Sequence, residues 1–408
     1  MDAHASLRRK IAEKRETIIG LQRALTAVPA LGPQNGGTGE WDKAQVLISW
    51  LDRLGLGPAE MHAAPDPRVP RGERPNCLVT LPGASDASTF WIMTHLDIVP
   101  PGEASLWESD PYGMVVKGDH LVGRGVEDNQ QALVASVFAA AAVKELGLKP
   151  RRTVKLLFVS DEETGSQLGV QHLLSHTELF RTQDVALVPD GGCEDGSEIE
   201  IAEKSLLWLR FRLRGRQCHA STPEKGINAF LAGSHLVVRL GELATRYPAH
   251  DDLFSPPIST FTPTKKEANV PNVNTLPGED VFYLDCRVLP REDLDEVLQV
   301  IREICDGVQR DFGVDITFEA VQRNSSPATP ADAPFVAALS RAVKQVYGVE
   351  ARTVGIGGGT VGAFLRRAGI PTAVWSRVLE TAHQPNERCS LPNLMGDALV
   401  MALLMLME

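Results

Sequence analysis

Hydrophobic residues recur at helical spacing over residues 5–28 (Ile11, Ile18, Ile19, Leu21, Leu25) and again over 41–55 (Val46, Leu47, Trp50, Leu51). A glycine- and proline-rich loop at 31–39 separates the two predicted helices. Two short apolar runs, 77–81 and 90–93, then read as strands on either side of a turn at Pro82-Gly83. A long irregular crossing covers 100–119, and 130–146 is an apolar helix with Ala132, Leu133, Val137 and Ala140 on one side. The runs 153–159 and 185–188 are largely apolar, as strands are in sheets covered on both faces. Strands alternating with helices imply a largely parallel sheet and an α/β fold.

The pattern changes after about residue 203. A strand at 208–213 is followed by a helix at 228–247, strands at 257–261 and 281–288, a helix at 294–312 and a strand at 315–320. That β-α-β-β-α-β order is the ferredoxin-like unit, complete in itself and inserted into the first domain. The expected division is a domain built from 1–203 and 321–408, interrupted by a second at 204–320. A return linker at 323–333 leads to a helix (334–346), a glycine turn (357–360), a short helix, a strand (372–375) and a helix from Leu391 onward.

Composition narrows the partners. The net charge is −11 without a long basic run, which argues against nucleic acid and anionic membrane. The six cysteines are scattered with no CxxC pair, a pattern that suits reduced thiols. The first 15 residues are charged and lack the apolar core of a signal peptide, and no apolar run approaches the ~20 residues of a membrane span. A soluble cytoplasmic protein is expected.

Chemistry gathers where strands end. His95 and Asp97 follow the run at 90–93, and Pro100 bars its continuation in a sheet. Residues i and i+2 of a strand share a face, and ligands collect at the carboxyl ends of strands in α/β sheets. A carboxylate beside a histidine is the usual support of a metal-binding imidazole, although a polar pair facing water is the plain alternative. Asp128, Glu162 with Glu163, Asp190 and His383 also lie just past apolar strands or at turns. Any one of them could be a helix cap or a solvated loop residue; jointly they would line one edge of the sheet. Five such ligands (His95, Asp128, Glu163, Asp190, His383) suit zinc, with a carboxylate shared between two ions. Adjacent Glu162 and Glu163 cannot easily serve one ion, so one could bind metal while the other acts as a base on a water whose pKa zinc lowers toward ~7.

At this point the sequence resembles the co-catalytic zinc aminoacylases and peptidases that include acetylornithine deacetylase, succinyl-diaminopimelate desuccinylase and glutamate carboxypeptidase. The resemblance runs nearly the whole length. It is carried by Thr94-His95-Leu96-Asp97-Ile98-Val99-Pro100, Gly123-Arg124-Gly125-Val126-Glu127-Asp128, Asp161-Glu162-Glu163-Thr164-Gly165, Pro189-Asp190-Gly191-Gly192 and Ala382-His383-Gln384-Pro385-Asn386-Glu387, together with the place of the inserted domain. It implies that His95 and Asp190 hold one zinc, Glu163 and His383 the other, and that Asp128 bridges them. It further implies that Asp97 orients His95 and that Glu162 is the general acid/base. The inserted domain would be a lid that mediates dimerisation. Its Cys218-His219-Ala220-Ser221 looks like the motif whose histidine reaches the partner subunit's site and steadies the oxyanion. Asn274, Arg287, Gly359 and Thr360 resemble substrate-binding positions. The chain departs from the pattern at Asn129, where many members have methionine, and at Trp375-Ser376-Arg377, where many carry glycines.

The expected activity is hydrolysis of the amide bond of a small N-acyl amino acid by a zinc-bound hydroxide, in a homodimer with two divalent ions, zinc first and cobalt as the alternative. A dipeptidase or carboxypeptidase is the second reading, and a non-catalytic amino-acid binder the remote one. Gly357-Gly358-Gly359-Thr360-Val361-Gly362 fits GxGxxG, yet only 46 residues follow Gly362, too few for the strands a dinucleotide site requires. His172, His176, His235 and His250 sit on predicted helices or polar loops and carry no expected role.

Overall fold

The structure, a computed structural model, describes residues 3–407, which form two compact units. Of the described residues, the first takes in those up to 201, 329–353 and those from 360 onward; the second comprises 202–328 and 354–359.

The first unit is built on an eight-stranded sheet. Its strands run in the order Glu60–Met61, Cys77–Leu81, Arg152–Val159, Ser85–His95, Val185–Cys193, Thr372–Arg377, Glu198–Glu203, Arg352–Ile356. The central four are parallel to one another. Cys77–Leu81 and Glu198–Glu203 flank them antiparallel. Four parallel strands bring four carboxyl ends to one edge of the sheet, and four of the five motifs singled out above stand at or just past those ends; the motif of Asp128 follows His120–Val122, a strand of a separate three-stranded sheet.

Alternation along the Ser85–His95 strand explains why it is central. Trp91 and Met93 point into one core with Leu157, Val159, Leu173, Val188 and Leu365. Phe90, on the opposite side of the pleat, packs in a tilted arrangement with its ring 5.7 Å from that of Phe335 on the helix Pro334–Tyr347. Both faces are therefore dry, as the continuous apolar run requires. The helix Gln130–Glu145 is buried without interruption from Gln130 to Val143 and packs against Leu391–Met407, itself apolar on all sides. The helix expected over 5–28 is two helices, Ala3–Glu13 and Arg15–Thr26, because Lys14 (φ −94°, ψ 6°) leaves the helical path between them.

The second unit is a four-stranded antiparallel sheet in the order Thr260–Lys266, Glu279–Val288, Ser205–Arg214, Asp315–Asn324. Leu207, Leu209, Phe211 and Leu213 enter a core covered by the helices Ala229–Leu240 and Leu294–Phe312. The intervening Trp208, Arg210, Arg212 and Arg214 face outward. Asp293 caps the long helix by accepting from Asp295 N (2.6 Å) and Glu296 N (3.3 Å). The second strand of this unit starts three residues later than its apolar signal, at Thr260.

One buried ionic network ties the start of the chain to the sheet edge. Arg74, fully buried, donates through Nε and Nη2 to Glu40 and lies 3.4 Å from Asp66 Oδ2. Glu40 also accepts from the backbone N–H of Asp161, the residue before Glu162. Removing one partner leaves a buried charge uncompensated. Arg74→Met is therefore expected to lower the free energy of unfolding by about 3–5 kcal/mol, read from urea denaturation followed by tryptophan fluorescence. A loss below about 1 kcal/mol would show that the network is not holding this edge.

Candidate active site

Each sequence-predicted ligand in the first unit arrives at the carboxyl edge of the sheet. His95 is the last residue of its strand, and Asp190 lies in the strand Val185–Cys193. Glu162 and Glu163 open a single 3-10 turn after Arg152–Val159. Asp128 ends the turn before the helix Gln130–Glu145, and the Asp128–Asn129 peptide is cis. His383 lies in a loop after Thr372–Arg377.

The structure gathers these side chains. Ligand-capable atoms of His95, Glu162 and Asp190 lie within 4.8 Å of one another, as do those of His95, Asp128 and Glu163. Asp128 occupies the middle: its Oδ1 is 2.9 Å from His95 Nε2 and its Oδ2 is 3.0 Å from His383 Nε2. His383 Nε2 is also 3.1 Å from Glu163 Oε1, and His95 Nε2 is 3.5 Å from Asp190 Oδ1. One carboxylate thus offers a separate oxygen to each imidazole.

Backbone chemistry fixes the rings and the acids. His95 Nδ1 lies 3.0 Å from the Asp97 carbonyl, which can only accept, so Nδ1 carries hydrogen, and once the ring is neutral Nε2 is the nitrogen left to donate a lone pair. The Asp97 carboxylate lies 3.5 Å from the same nitrogen. It also accepts from Glu162 N (3.1 Å) and Glu163 N (3.0 Å), so it positions both glutamates as well as the ring. His383 sits at φ 64°, in the left-handed region, and Glu380 and Asn386 on the same loop do too.

A clamp not foreseen as such from sequence holds the bridging aspartate. Glu387, buried, accepts from the N–H groups of Gly125 (2.9 Å), Glu127 (2.9 Å) and Asp128 (3.0 Å), and from Arg124 Nη1 (2.5 Å). Gly125 adopts φ 85°, and a Cβ there would meet Ile98 Cγ2 at 2.7 Å. Glu127 in turn accepts from the backbone of Leu379 and Thr381, binding this turn to the loop of His383. Asn129 donates to Asp190 Oδ1 at 2.5 Å. Of these, the glycine spacing, the Asn-Glu pair of the last motif and the departure at Asn129 gave a sequence signal.

The electrostatics are those of a crowded acidic site. Burial and the charge of Asp190 raise the Glu162 carboxyl well above the carboxylate range, and burial raises Glu163 and Asp190. Burial disfavours the His95 imidazolium, but Asp190 and Asp128 outweigh it and lift its proton affinity well above normal. Hydrogen bonds to Asp128 and Glu163 lift His383 to about 10. Burial likewise pushes Glu387 to about 7 and pulls the amine of buried Lys43, which feels Asp97, Glu40 and Glu387, down to about 8. Two imidazoles that hold protons this tightly between carboxylates form a donor set that fits divalent cations, zinc among them.

The remaining predicted residues lie elsewhere. His219 is exposed in the second unit, on a two-residue strand paired with Thr275–Leu276; Ala220 N donates to Asn274 O at 2.9 Å, so those two motifs meet. His219 Nδ1 accepts from Ser221 N at 3.1 Å. Arg287, of the same unit, donates to both oxygens of Asp285 (2.7 and 3.0 Å) and to Gly357 O (2.8 Å). Gly359 closes the second unit's last segment, and Thr360, at the start of the first unit's final segment, accepts from Gly362 N at 3.0 Å.

Comparison with known proteins places this geometry. A family model described as Peptidase family M20/M25/M40 matches residues 91–407. An uncharacterized metallohydrolase of Methanocaldococcus jannaschii is 35% identical over 402 residues, covering 94% of this chain and 97% of that protein. A succinyl-diaminopimelate desuccinylase of Nitratiruptor sp. is 26% identical over 299 residues, covering 72% and 78%. The fold is that of the Bacillus cereus aminopeptidase PepT, with a TM-score of 0.75 at 20% identity, covering 96% and 98%.

Cation binding must displace protons from this cluster, so affinity for zinc should fall with pH. Elemental analysis after zinc loading should find about two ions per chain near pH 8 and a marked loss by about pH 5. Glu387→Gln touches no ligand atom yet loosens the Asp128 turn, and is expected to weaken zinc binding by about 10–100-fold. Unchanged affinity in that variant would remove the clamp from the account of the site.

Proposed function

This chain belongs to peptidase family M20/M25/M40 and is a metallohydrolase of the peptidase and desuccinylase type; from that premise we propose that it hydrolyses the amide bond of a small N-acyl amino acid, using two divalent ions. The observation that carries the reading is Asp128, whose two oxygens each face a different imidazole. In this reading His95 and Asp190 would hold one ion, Glu163 and His383 the second, and Asp128 would be shared between them. Zinc is the first choice, and cobalt the alternative. An ion held there polarises a carbonyl and lowers the pKa of a water toward ~7.

The chain's own groups do the rest. Glu162 has a carboxyl with raised proton affinity beside that cluster, which suits a group that accepts a proton from water and returns it to the leaving amine. Asp97 keeps His95 in the metal-binding tautomer and holds the Glu162 backbone. His219 is assigned to the oxyanion of a partner subunit. Its Nδ1 accepts from a backbone N–H, so its neutral ring bears hydrogen on Nε2, the donor such a role requires. The second unit is assigned to lid and dimerisation, and Asn274, Arg287, Gly359 and Thr360 to substrate binding. The desuccinylase relatives favour N-acyl amino acids; the aminopeptidase sharing the fold supports short peptides as the second reading. A cytoplasmic homodimer is part of this proposal; no helix among the described residues is long and apolar enough to cross a membrane.

Release of free amino acid from a panel of N-acetyl and N-succinyl amino acids and dipeptides, with zinc or cobalt, tests the reaction class. Glu162→Gln should retain both ions and lower kcat by about 10²–10⁴-fold, the contribution of a positioned proton carrier. Wild-type turnover in that variant would require a different base. His219→Ala should lower kcat by about 10²–10³-fold with metal content intact. Mixing it with Glu162→Gln subunits should restore activity, because a mixed dimer contains one site with both groups. No recovery, with subunit exchange shown separately, overturns donation between subunits.

A further inference from the structure

A cavity of about 380 Å³ lies in the first unit among the helices Ala3–Glu13, Pro334–Tyr347 and Leu391–Met407, and no residue of the metal cluster lines it. Its apolar walls are Ile11, Val346, Tyr347, Leu391, Met395 and Leu399, and its only charged residues are Arg8, Arg15 and Asp119. We infer that this cavity is a binding site for a small solute with an apolar body and a single carboxylate, which Arg8 would hold. The inference goes beyond the hydrolase reading and does not depend on it.

The walls are held in place. Leu391, Met395 and Leu399 recur at i, i+4 and i+8 and form one side; Arg8, Ile11 and Ala12 recur at i, i+3 and i+4 on the first helix and form another. Gly396 lets the Tyr347 ring lie close against the last helix, because a Cβ there would collide with the phenol oxygen. That hydroxyl donates to Asp397 Oδ1 at 2.8 Å. Asp397 accepts in turn from Ser376 Oγ (2.8 Å) and Gln131 Nε2 (3.0 Å), so the ring is anchored to the large sheet and to the helix Gln130–Glu145. The Leu391 N–H donates to the Asp119 carbonyl at 2.8 Å and fixes the far rim. Walls tied this way resist collapse onto the space. A concave, mostly apolar space with a few polar groups at its mouth is the form of a small-molecule pocket.

Charge at the mouth selects the ligand. Arg15 Nη1 is 2.8 Å from Glu16 Oε1 and its Nη2 is 3.7 Å from Asp119 Oδ1, so Arg15 has acids of its own. The bases next to Arg8 on its helix are paired as well: Arg9 faces Glu13 at 3.8 Å, and Lys10 Nζ is 3.1 Å from Glu13 Oε2. Arg8 is different. The partner of its exposed guanidinium among the described residues is His4 Nε2 at 3.3 Å, a ring nitrogen that brings no negative charge. Arg8 is therefore the one basic group of the cavity without a carboxylate. A guanidinium receives a carboxylate through two parallel N–H groups, and it repels an ammonium. An uncharged ligand of the same shape would gain the apolar burial alone. One uncompensated arginine on a chain of net charge −11 suits an anionic bilayer poorly, so the occupant is a free solute rather than a lipid headgroup.

The test is titration calorimetry on the zinc-loaded full chain with octanoate, octan-1-ol and octylamine, which share an apolar body and differ in charge. Octanoate should bind saturably and about 10-fold more tightly than octan-1-ol, with octylamine weakest. Arg8→Gln should bring octanoate and octan-1-ol to within about 3-fold of each other. Ala12→Trp, which fills the cavity from an exposed position, should abolish binding of both, and Ala12→Leu, a milder filling, should weaken both. Circular dichroism checks the fold of each variant. Octanoate held by zinc would be indifferent to all three substitutions, which separates that event from the cavity. Octanoate binding unchanged by Arg8→Gln and by the Ala12 variants overturns the site, as does equal affinity for octan-1-ol. Association with phosphatidylglycerol vesicles but not with free octanoate overturns it too, and so does an Arg8→Gln effect confined to the oligomeric state in sedimentation velocity.

Discussion

Keeping several carboxylates close together, out of bulk water, is the constraint that shapes this molecule. Like charges at such distances repel, and burial penalises each of them further. The fold answers mainly with backbone N–H groups. Glu387 gathers three of them and Asp97 two, while Glu127 takes two more from the loop that carries His383. Each acid is thereby fixed by main chain, whose position the sheet already determines, rather than by flexible side chains. The remaining repulsion is what draws protons onto the imidazoles and, by the same logic, favours a divalent cation in their place.

The supports form successive layers. Asp128 depends on the turn held by Glu387; Glu162 and Glu163 depend on Asp97; Asp161 just before them depends on Glu40, and Glu40 on Arg74. Parallel strands make this economical in length, because each carboxyl end delivers one group to the same edge. The loops can then differ in composition while the edge stays put. Glu380 and the Arg377 side chain illustrate the freedom left to such loops, since one borders a cavity beside Asp190 and the other packs over the Tyr347 ring.

Much of this was legible in the sequence, for a definite reason. His95, Asp128, Glu163 and Asp190 stand immediately beside apolar runs or glycine turns, so local pattern and chemistry coincide, and the alternating texture after residue 203 is equally local. Apart from Asp97, the supports were not legible as such. Glu387 acts on residues about 260 positions earlier, and Arg74 on Glu40 across 34. No period or spacing relates such partners; only the folded sheet brings them together. The break at Lys14 was missed because apolar spacing continues across it, and the strand Glu198–Glu203 because its alternating acids resemble a solvated loop. Nor does sequence show that Arg287 is paired with Asp285, two residues before it on the same strand.

The order of strands in the large sheet also governs how the chain can be made. Thr372–Arg377 lies between Val185–Cys193 and Glu198–Glu203, although nearly all of the second unit separates them in sequence. During synthesis, the unit at 202–328 has its sheet and both covering helices in hand before that strand exists. The larger sheet, meanwhile, waits with an open slot and two unpaired strand edges until the last tenth of the polypeptide emerges. A chain cut short anywhere before about residue 370 would carry that open edge permanently, and would be a template for pairing with other chains rather than a smaller version of the enzyme.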